Sequence, residues 1–556
     1  MTFCILYDVP FIDSGVIVSS ELKIDSDQVQ AAAKTHQTAE SMAARQREIS
    51  ISEFFSKNRH LLGFDNPQKA LLTAVKEAVD NSLDACEDAG ILPVLKVAIQ
   101  QLAEDRFRIA VEDNGPGIVK AQIPKIFGKL LYGSKFHTLK QARGQQGIGI
   151  SAAGMYGLLT TGKSIAVTSR TGSEKPAHYY EIQIDTRKNA PQIITDKVVD
   201  WEQPHGTRVE IELIGTYKKG RHSVDDYIRQ TAIANPHCEI FFTTPDSGET
   251  LHLERGSDSL PPEPKEIKPH PYGVELGVLI RMMKETPARQ LSAALQRDFS
   301  RVSGRVAVDI CKAALLSPNA NPHTIVVHEA ERLFKAINSV KIMNPATNCL
   351  SPIGEEQILS GLKKEINADF YTGITRAPAV YRGNPFQVEV GLAYGGSLPG
   401  DELVDLLRFA NRVPLQYQQS GCAITKAVLG IDWRSYGVSQ SKGALPMGPV
   451  VLFVHIASVW VPFTSESKEA VAGYPEIMRE LRLALQECGR KLATHIRAHR
   501  RAVDEEKKKS YIEKYIPHIG IALREILGLS EKAENDLVTT LKDVLERSRS
   551  RERVTD

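Results

Sequence analysis

The segments EAVDN (77–81), DNGPG (113–117) and GQQGIG (144–149) follow one another in this order within the first third of a 556-residue chain. The first segment places a carboxylate and a carboxamide one helical turn apart, at Glu77 and Asn81. The second is an acidic residue in a glycine turn, and the third is a glycine-rich loop that leads into a predicted helix. Together they can supply a general base, a metal ligand, an acceptor for a flat base and a cradle for phosphates. The three segments therefore predict an ATP-hydrolysis site.

The first segment lies on a helix that we expect over 67–89, with Asn66 as its N-cap. Glu77, Asn81 and Asp84 recur at i, i+4 and i+7 and so share one helix face. We interpret Glu77 as the general base that polarises the attacking water. Asn81 is interpreted as an uncharged oxygen ligand of Mg²⁺, and Asp84 as a further nucleotide contact. Taken alone, the pattern also suits an exposed polar helix face, so the assignment depends on the two later segments.

The second segment follows a predicted strand at 107–112 and contains Asp113, Gly115 and Gly117. An aspartate at this point can accept a hydrogen bond from the exocyclic amine of a base. The two glycines allow the backbone to approach a flat ring closely. The alternative is an ordinary strand-end turn, for which Asp-Asn-Gly is common.

The third segment has the composition of a phosphate-binding loop, and a flexible basic loop precedes it. Its backbone N–H groups and the positive end of the following helix suit phosphate oxygens. The alternative is a helix-entry loop in which the glycines serve only the turn. From this region we assign to the nucleotide Ser134, Lys135, Gly144, Gln145, Gln146, Gly147, Ile148, Gly149, Ile150 and Ser151.

The segment GLLTTGKS (157–164) matches the P-loop pattern G-x-x-x-x-G-K-[ST] letter for letter. A P-loop works only after a strand and before a helix, because the helix N-terminus holds the phosphates. Here a predicted helix precedes the segment and the strand IAVTS (165–169) follows it. We therefore interpret Lys163 and Ser164 as a helix-to-strand connection.

The composition is that of a soluble globular protein with several domains, at 42% hydrophobic and 24% charged residues. A net charge of +2 gives no global electrostatic argument for nucleic acid. The seven cysteines are scattered and form no C-x-x-C pair, which predicts reduced thiols rather than zinc or disulfides. No apolar run approaches the roughly 18 residues of a membrane span, and no basic leader is present, so we expect no membrane association.

The tripeptide His205-Gly206-Thr207 opens another predicted strand, and with the three earlier segments it resembles the motif order of the GHKL ATPases. That resemblance implies the Bergerat fold and places Thr207 beneath the adenine. From about residue 48 to about 520 the chain also resembles the B subunit of the type IIB DNA topoisomerase, topoisomerase VI. The segments that carry this resemblance are YGSKFHTLKQARGQQGIGIS (132–151), KPHPYGVELG (268–277), CLSPIGEEQI (349–358), TRAPAVYRGNPFQVEVGLAYGG (375–396), LRFANRVPL (407–415) and VPFTSESKEA (461–470).

The resemblance implies an α/β multidomain chain. Residues 1–47, before the span of the resemblance, are a polar extension without sustained periodicity, and we expect them to be disordered. The expected parts are the extension at 1–47, a two-layer α/β sandwich ATPase domain at 48–262, a helix–two-turn–helix domain at 263–348, a ribosomal-protein-like α/β transducer domain at 349–466, and a C-terminal stalk helix with a helical tail at 467–556. In this family a transducer lysine contacts the γ-phosphate of ATP, and the residue that we match to it is Lys426. A lysine is a point charge suited to phosphate. Without the resemblance, Lys426 would be interpreted as a solvated surface lysine.

Two DNA-contact segments of the family also have counterparts in this chain. One is the loop Lys219-Gly220-Arg221-His222, where the family commonly has arginine in place of His222. The other contains Trp433, Arg434 and Tyr436, where a lysine is more usual than Arg434. Basic residues with flanking aromatic rings suit a phosphate backbone without reading sequence. The alternative is a solvated basic loop together with a partly buried Trp/Tyr pair.

The resemblance further implies that ATP and Mg²⁺ are the cofactors and that two copies dimerise through their ATPase domains when ATP binds, capturing double-stranded DNA. A separate A subunit would carry the Toprim metal site and the DNA-cleaving tyrosine in an A2B2 heterotetramer. This chain would then hydrolyse ATP and cut no DNA alone. It would act in the cytoplasm beside the nucleoid of a prokaryote or in a eukaryotic nucleus.

Two alternatives remain at this point. The first is a non-catalytic scaffold partner of a meiotic-type DNA cleavage protein, with the same fold and a decayed nucleotide site. Intact Glu77, Asn81 and Asp113 argue against decay. The second is another GHKL ATPase, a chaperone or a repair enzyme. The segments that resemble the helix–two-turn–helix and transducer domains argue against it.

Overall fold

The computed structural model describes residues 39–44, 46, 50–135, 138–144, 147–465 and 467–552. The chain divides into two compact units, residues 1–50 and 51–556. The described residues of the first unit include the short helix α1 (Ala39–Ala43). The predicted disorder of 1–47 otherwise concerns residues outside the described ranges, and it stays a prediction.

The second unit holds the remaining helices and strands. Its α-helices are α2 (Ile51–Lys57), α3 (Pro67–Asp88), α4 (Ile123–Gly128), α5 (Gly149–Thr161), α6 (Val224–Ala234), α7 (Leu276–Glu285), α8 (Leu291–Asp298), α9 (Gly304–Ala313), α10 (Val327–Ser339), α11 (Glu355–Glu365), α12 (Ala423–Leu429), α13 (Pro475–Leu527) and α14 (Glu531–Glu552). Its strands are β1 (Val94–Ala103), β2 (Arg106–Asp113), β3 (Ile165–Arg170), β4 (Ala177–Asp185), β5 (Ala190–Val199), β6 (Gly206–Ile214), β7 (Glu239–Thr243), β8 (Thr250–Leu253), β9 (Phe370–Thr375), β10 (Ala379–Tyr381), β11 (Asn384–Tyr394), β12 (Asp405–Ala410), β13 (Val413–Pro414), β14 (Ser439–Gln440), β15 (Pro446–Met447) and β16 (Val450–Ser458).

The first half of this unit is an eight-stranded sheet covered by helices, in the strand order β5-β4-β3-β6-β2-β1-β7-β8. Neighbouring strands are antiparallel except for the parallel pair β1–β7. This is the two-layer α/β sandwich that the sequence predicts, enlarged by β5, β7 and β8, which the sequence pattern did not indicate. The register places Asp113, the last residue of β2, opposite Thr207 of β6. Two residues predicted to contact the base are therefore neighbours in the sheet.

Helix α3 begins where the sequence predicts. The side chain of Asn66 accepts a hydrogen bond from the Lys69 backbone N–H at 2.8 Å, and Pro67 occupies the first turn. Leu71 and Val75 are fully buried against the sheet. Each buried side chain of this kind stabilises the packed state by about 1.5–3 kcal/mol. Packing of one face against the sheet thus sets the rotation of the helix and turns Glu77 and Asn81 towards a cavity.

Helices α7 to α10 form a separate helical layer with its own hydrophobic core. Residues buried in that core include Leu279, Leu291, Leu295, Ile310 and Leu333. A segment at 254–266 without helix or strand, which contains Pro261-Pro262-Glu263-Pro264, connects this layer to β8. The domain bounds 263–348 stay a prediction.

The next part contains a second sheet, in the order β10-β11-β16-β12-β13, with β9 also paired to β11. Every residue of β16 is buried, because this strand lies between β11 and β12. The long helix α13 packs on β9, β10 and β11. It begins at Pro475, where proline suits the first turn, and not at 467 as expected. The described residues before this helix, 461–465 and 467–474, contain no helix or named strand and include Lys468; we call them loop 461–474.

Among the described residues, no helix is long and apolar enough to cross a membrane. The six cysteines of the described ranges are buried and free. Cys4 lies outside those ranges. Within the described part of the chain, no group of three or more His, Cys, Asp or Glu side chains could hold a metal ion.

Candidate nucleotide site

A cavity of about 590 Å³ opens beside α3, at the ends of β2 and β6 and at the N-terminus of α5. Its volume lies within the ~300–1,000 Å³ range of small-molecule sites. The predicted site residues that line it are Glu77, Asn81, Asp113, Gly117, Ser134, Lys135, Gly144, Gly147, Ile148, Gly149, Ile150, Ser151 and Thr207. The fold therefore brings all three sequence segments, and Thr207, into one cavity.

Among the described residues, two nucleotide contacts predicted in the ATPase domain, Asp84 and Gly115, are not found on the wall of this cavity. Gln145 and Gln146 lie outside the described residues. Gly115 lies behind Asp113, to which its backbone N–H donates a hydrogen bond. Asp84 is buried and pairs with basic side chains, as described below.

Asp113 is held in place by donors from three elements. Its Oδ1 accepts from the backbone N–H of Gly115 at 2.9 Å and of Thr207 at 3.1 Å. Its Oδ2 accepts from the Ser82 hydroxyl at 2.8 Å. Burial raises the pKa of Asp113 above its usual value, although these hydrogen bonds oppose the shift. Since a carboxylate has about four acceptor positions, three protein donors leave one for an exocyclic amine.

The glycine turn after Asp113 depends on the absence of side chains. Gly117 has φ of +71°, in the left-handed region that favours glycine. A Cβ at this position would also lie 1.9 Å from the backbone oxygen of Arg170. Glycine is therefore required here for both backbone conformation and space, and its backbone forms part of the wall of the cavity.

The opposite end of the cavity joins Glu77 to the N-terminus of α5. An ideal Cβ on Gly149 would lie 1.7 Å from Glu77 Oε2, so the carboxylate occupies the space that a side chain would need. The first turn of α5 directs its free N–H groups and its positive dipole end towards this part of the cavity. The Ser151 hydroxyl donates to the backbone oxygen of Ile126 at 2.9 Å and holds α4 against α5. This end suits an anion beside a carboxylate.

Asp84 contacts the described residues between α4 and α5 (129–135, 138–144, 147 and 148), which we call the connecting loop. Lys135 Nζ lies 2.6 Å from Asp84 Oδ2, and an Arg143 amine lies 3.0 Å from Asp84 Oδ1. The backbone N–H of Gly144 donates to the same carboxylate at 3.3 Å. Burial opposes ionisation, but Lys135 and Arg143 outweigh it and hold the pKa of Asp84 below its usual value. The predicted role as a nucleotide contact is therefore replaced by that of an internal brace.

Arg143 is the centre of a second buried cluster, which the sequence did not indicate. Its two terminal nitrogens each lie 2.7 Å from a Glu87 oxygen. His237 Nε2 lies 2.7 Å from Glu87 Oε1. Burial raises the pKa of Glu87, but Arg143 and His237 outweigh it and hold that pKa far below its usual value. These contacts attach the connecting loop to the C-terminal end of α3.

A distant part of the chain contributes Ser467 and Lys468 to the cavity wall. Lys468 Nζ donates a hydrogen bond to the backbone oxygen of Arg143 at 3.1 Å. The backbone of Lys468 has φ of +53°, which is uncommon for a residue other than glycine. The loop 461–474 therefore brings a cation to the nucleotide side of the ATPase domain.

Lys426, which the resemblance suggested for this role, is not among the described residues that line the cavity. Ile424, Ala427 and Val428 of α12 face inward and are fully buried in the second sheet's core. Lys426 is on the opposite face of that helix and is exposed. Lys426 is therefore not placed at this cavity in the structure, whereas Lys468 lies on its wall. The segment VPFTSESKEA (461–470) carried part of the resemblance, but no local pattern distinguished its lysine from others.

Only part of the predicted DNA-contact loop is exposed. Lys219 and Arg221 are exposed. His222 is half-buried, has φ of +60°, and stacks on Tyr417 with 5.1 Å between ring centroids. Burial lowers the pKa of His222, so the ring is neutral near pH 7. His222 is therefore a packing residue in this structure.

The second predicted DNA segment is mostly internal. Trp433 is fully buried, and its Nε1 donates to the backbone oxygen of Val428 at 2.9 Å. The Tyr436 ring packs on α13, where a Cβ on Gly489 would lie 2.5 Å from it. Arg434 alone of the three is exposed. The prediction that Trp433 contacts DNA is wrong, because the indole fills the core between α12 and α13.

The P-loop-like segment connects a helix to a strand, as the order of predicted elements along the chain indicates. Helix α5 ends at Thr161, and Gly162 caps it in the left-handed conformation with φ of +71°. Strand β3 begins at Ile165. Lys163 and Ser164 do not belong to the cavity wall among the described residues. The interpretation as a helix-to-strand turn is confirmed.

Comparison with known proteins covers most of the chain. Residues 66–213 match the family of histidine kinase-, DNA gyrase B- and HSP90-like ATPases. Residues 345–509 match the transducer family of the topoisomerase VI B subunit. The chain is 51% identical over 490 residues to the B subunit of type 2 DNA topoisomerase 6 from Methanosarcina acetivorans, covering 88% of this chain and 79% of the relative. The Archaeoglobus fulgidus protein of the same name is 49% identical over 487 residues, covering 87% of this chain and 80% of the relative.

Solved structures give a much weaker likeness. The gyrase B protein from Myxococcus xanthus is 12% identical, with a TM-score of 0.38 over 80% of this chain and 95% of that one. The ATPase region of Saccharomyces cerevisiae topoisomerase II is 11% identical, with a TM-score of 0.38 over 81% of this chain and 100% of that one. These values are too low to add to the argument. On the identity to its sequence relatives, this chain belongs to the family of topoisomerase VI B subunits.

Proposed function

We propose that this chain is the ATP-operated gate of a type IIB DNA topoisomerase, in which ATP binding and hydrolysis move the two sheet domains relative to each other. The observation that carries the proposal is the composition of the cavity wall. It joins Glu77, Asn81 and Asp113 of the ATPase domain to Lys468 of the transducer. A nucleotide in this cavity would therefore touch both domains at once.

The donor set of the cavity fits ATP. Asp113 and Thr207 form the base end, and the N-terminus of α5 forms the phosphate end. Asn81 Oδ1 lies near Gly144, where an ideal Cβ would be 3.5 Å from it, so an uncharged oxygen is available beside the phosphate region. Mg²⁺ suits such a place because it takes oxygen ligands and binds through few protein groups plus substrate phosphates. When bound, Mg²⁺ would neutralise phosphate charge.

Glu77 is the general base of the proposed reaction. Its carboxylate lies on the cavity wall directly against Gly149 at the N-terminus of α5. From that position it can hold a water molecule beside the anion region and accept its proton. Side chains of the cavity wall such as Phe64, Ile118 and Phe127 reduce the access of bulk water.

Lys468 is the residue that we propose for contact with the γ-phosphate. Its ammonium group is a compact cation suited to phosphate. In this structure the same group donates to the Arg143 backbone oxygen at the end of the connecting loop. A phosphate at the N-terminus of α5 would compete for that donor, so the position of loop 461–474 would follow the nucleotide state.

The proposed partners are an A subunit, with which the chain would form an A2B2 heterotetramer, a second copy of this chain, and double-stranded DNA. The test is reconstitution with a Toprim-containing A subunit from a related organism and supercoiled plasmid. ATP-dependent relaxation is expected, with no relaxation when the nucleotide is omitted. Relaxation without ATP, or ATP hydrolysis with no relaxation beside an active A subunit, would contradict the proposal.

A further inference from the structure

A buried ion pair joins the ATPase domain to the loop that carries Lys468. Lys69, in the first turn of α3, has its Nζ 2.5 Å from an oxygen of Glu469. The two side chains are only 10% and 6% exposed. Asp65 also pairs with Lys69, at 2.9 Å, but its side chain is 39% exposed. Glu469 is therefore the buried partner of Lys69 and comes from a different domain.

The surroundings of Lys69 bury its side chain and favour its charged form. Its Nζ lies 5.3 Å from the centre of the Tyr417 ring, which covers it as in a cation–π contact. Burial lowers the pKa of Lys69, but Glu469 and Asp65 outweigh it and hold that pKa above its usual value. Tyr417 in turn stacks on His222 of the basic loop. The pair is thus enclosed by parts of both domains.

Residues 470 and 471 of loop 461–474 are attached to the transducer. The backbone N–H of Ala423 donates to the Val471 oxygen at 2.8 Å. Ala470 and Val471 are fully buried in the core of the second sheet. Glu469 and Lys468, next to these anchored residues, point the other way and contact the ATPase domain. The loop therefore connects two domains. Apolar contacts attach it to the transducer, and polar contacts attach it to the ATPase domain.

Such a pair is sensitive to loss of one partner. A buried cation left without its carboxylate retains the cost of desolvation and loses the attraction that offset it. The loop would then lose its attachment next to Lys468 while keeping its attachment to the transducer core. The side chain of Lys468 would no longer be held at the cavity.

We infer that Lys69 and Glu469 are positioning residues for ATP turnover: their ion pair latches loop 461–474 onto α3 and thereby holds Lys468 in the nucleotide cavity. The inference rests on the proposed role of Lys468. It deepens that role, because it names the contact that determines whether the lysine reaches the nucleotide.

The test compares ATP hydrolysis by the full chain carrying Glu469→Gln, Lys69→Met, Lys468→Ala, or Glu469→Gln together with Lys468→Ala. We expect Glu469→Gln and Lys69→Met each to lower kcat about tenfold, within the range for residues that couple two sites. We expect Glu469→Gln to have no further effect in the Lys468→Ala background, because Glu469 acts through Lys468. A multiplicative loss in the double variant would overturn the inference.

The matched control is Glu212→Gln. Glu212 also forms a 2.5 Å ion pair, with Arg106, but both residues lie in the same sheet of the ATPase domain. Hydrogen exchange of residues 461–474 should be faster in Glu469→Gln and unchanged in Glu212→Gln. Unchanged exchange in both variants would overturn the latch, even if Glu469→Gln lost activity through a lower melting temperature.

Different results would overturn the proposed role of Lys468 and the proposed role of the Lys69–Glu469 ion pair. Normal turnover in Lys468→Ala would overturn the proposed role of Lys468. Impaired turnover in Lys468→Ala with normal turnover in Glu469→Gln and Lys69→Met would overturn only the latch.

Discussion

The carboxylate of Glu77 occupies the space where a side chain on Gly149 would be, since an ideal Cβ on that glycine would lie 1.7 Å from Glu77 Oε2. The contact joins α3 to the first residue of α5. It places the proposed base against the N–H groups that would receive phosphate. The position of the Glu77 carboxylate thus depends on the absence of a side chain at position 149.

Gly149→Ala tests this contact. The added methyl group must displace Glu77, so we expect kcat for ATP hydrolysis to fall by about 10²-fold or more, the scale of a misplaced general base. Gly172→Ala is the control, because a Cβ there meets nothing within 4 Å. Equal turnover in the two variants would show that Glu77 does not need its position against Gly149.

Glu77→Gln tests the base itself. The amide retains the shape of the side chain but cannot accept the proton, so turnover should fall by about 10²–10⁴-fold. Binding of a fluorescent ATP analogue should change little, because Asp113 and α5 are intact. Full hydrolysis by this variant would remove Glu77 as the base.

Lys468→Ala and Lys426→Ala discriminate between the two candidate lysines. We expect Lys468→Ala to lose crosslinked dimer formation with a non-hydrolysable ATP analogue, because the transducer cation on the cavity wall is gone. We expect Lys426→Ala to dimerise normally, since its side chain is exposed on α12. The opposite result would support Lys426, the lysine that the family resemblance implies.

Glu87→Gln tests the buried cluster around Arg143. Because the pKa of Glu87 is held low in the folded state, its contribution is present above the unfolded pKa of about 4.3 and is lost as pH falls towards the folded value. Near pH 7 the variant should lose about 3–5 kcal/mol, as expected for breaking a buried pair. The difference in melting temperature from wild type should then narrow as pH falls below about 4. A constant difference at all pH values would contradict the low pKa.

Lys219→Ala and Arg221→Ala test the exposed part of the basic loop. Each should weaken binding of double-stranded DNA and reduce the slope of log affinity against log salt by about one phosphate contact. His222→Ala should leave that slope unchanged, because the half-buried ring is neutral and stacks on Tyr417. If His222→Ala reduced the slope as much as Arg221→Ala, the loop would bind DNA in a different conformation.

Local features were predictable because they depend on residues close together in the chain. The spacing of Glu77 and Asn81 on one helix face follows from the helix period. The glycine at position 117 follows from a turn that only glycine permits. The order of helix and strand around GLLTTGKS excluded a P-loop without coordinates. Each of these inferences compares residues within a few turns or one strand of each other.

The features that the sequence missed depend on packing between distant segments. No local sequence pattern distinguishes Lys468 from Lys426. Only the packing of α12 and of loop 461–474 shows which of the two lies on the cavity wall. The sequence around Trp433 is compatible with an exposed aromatic side chain. In the structure the side chain is fully buried. The sequence by itself predicted a nucleotide site and most of the residues of one domain that line the cavity. Only the tertiary structure decided which lysine of the other domain lies on the cavity wall, because that choice depends on contacts between segments hundreds of residues apart.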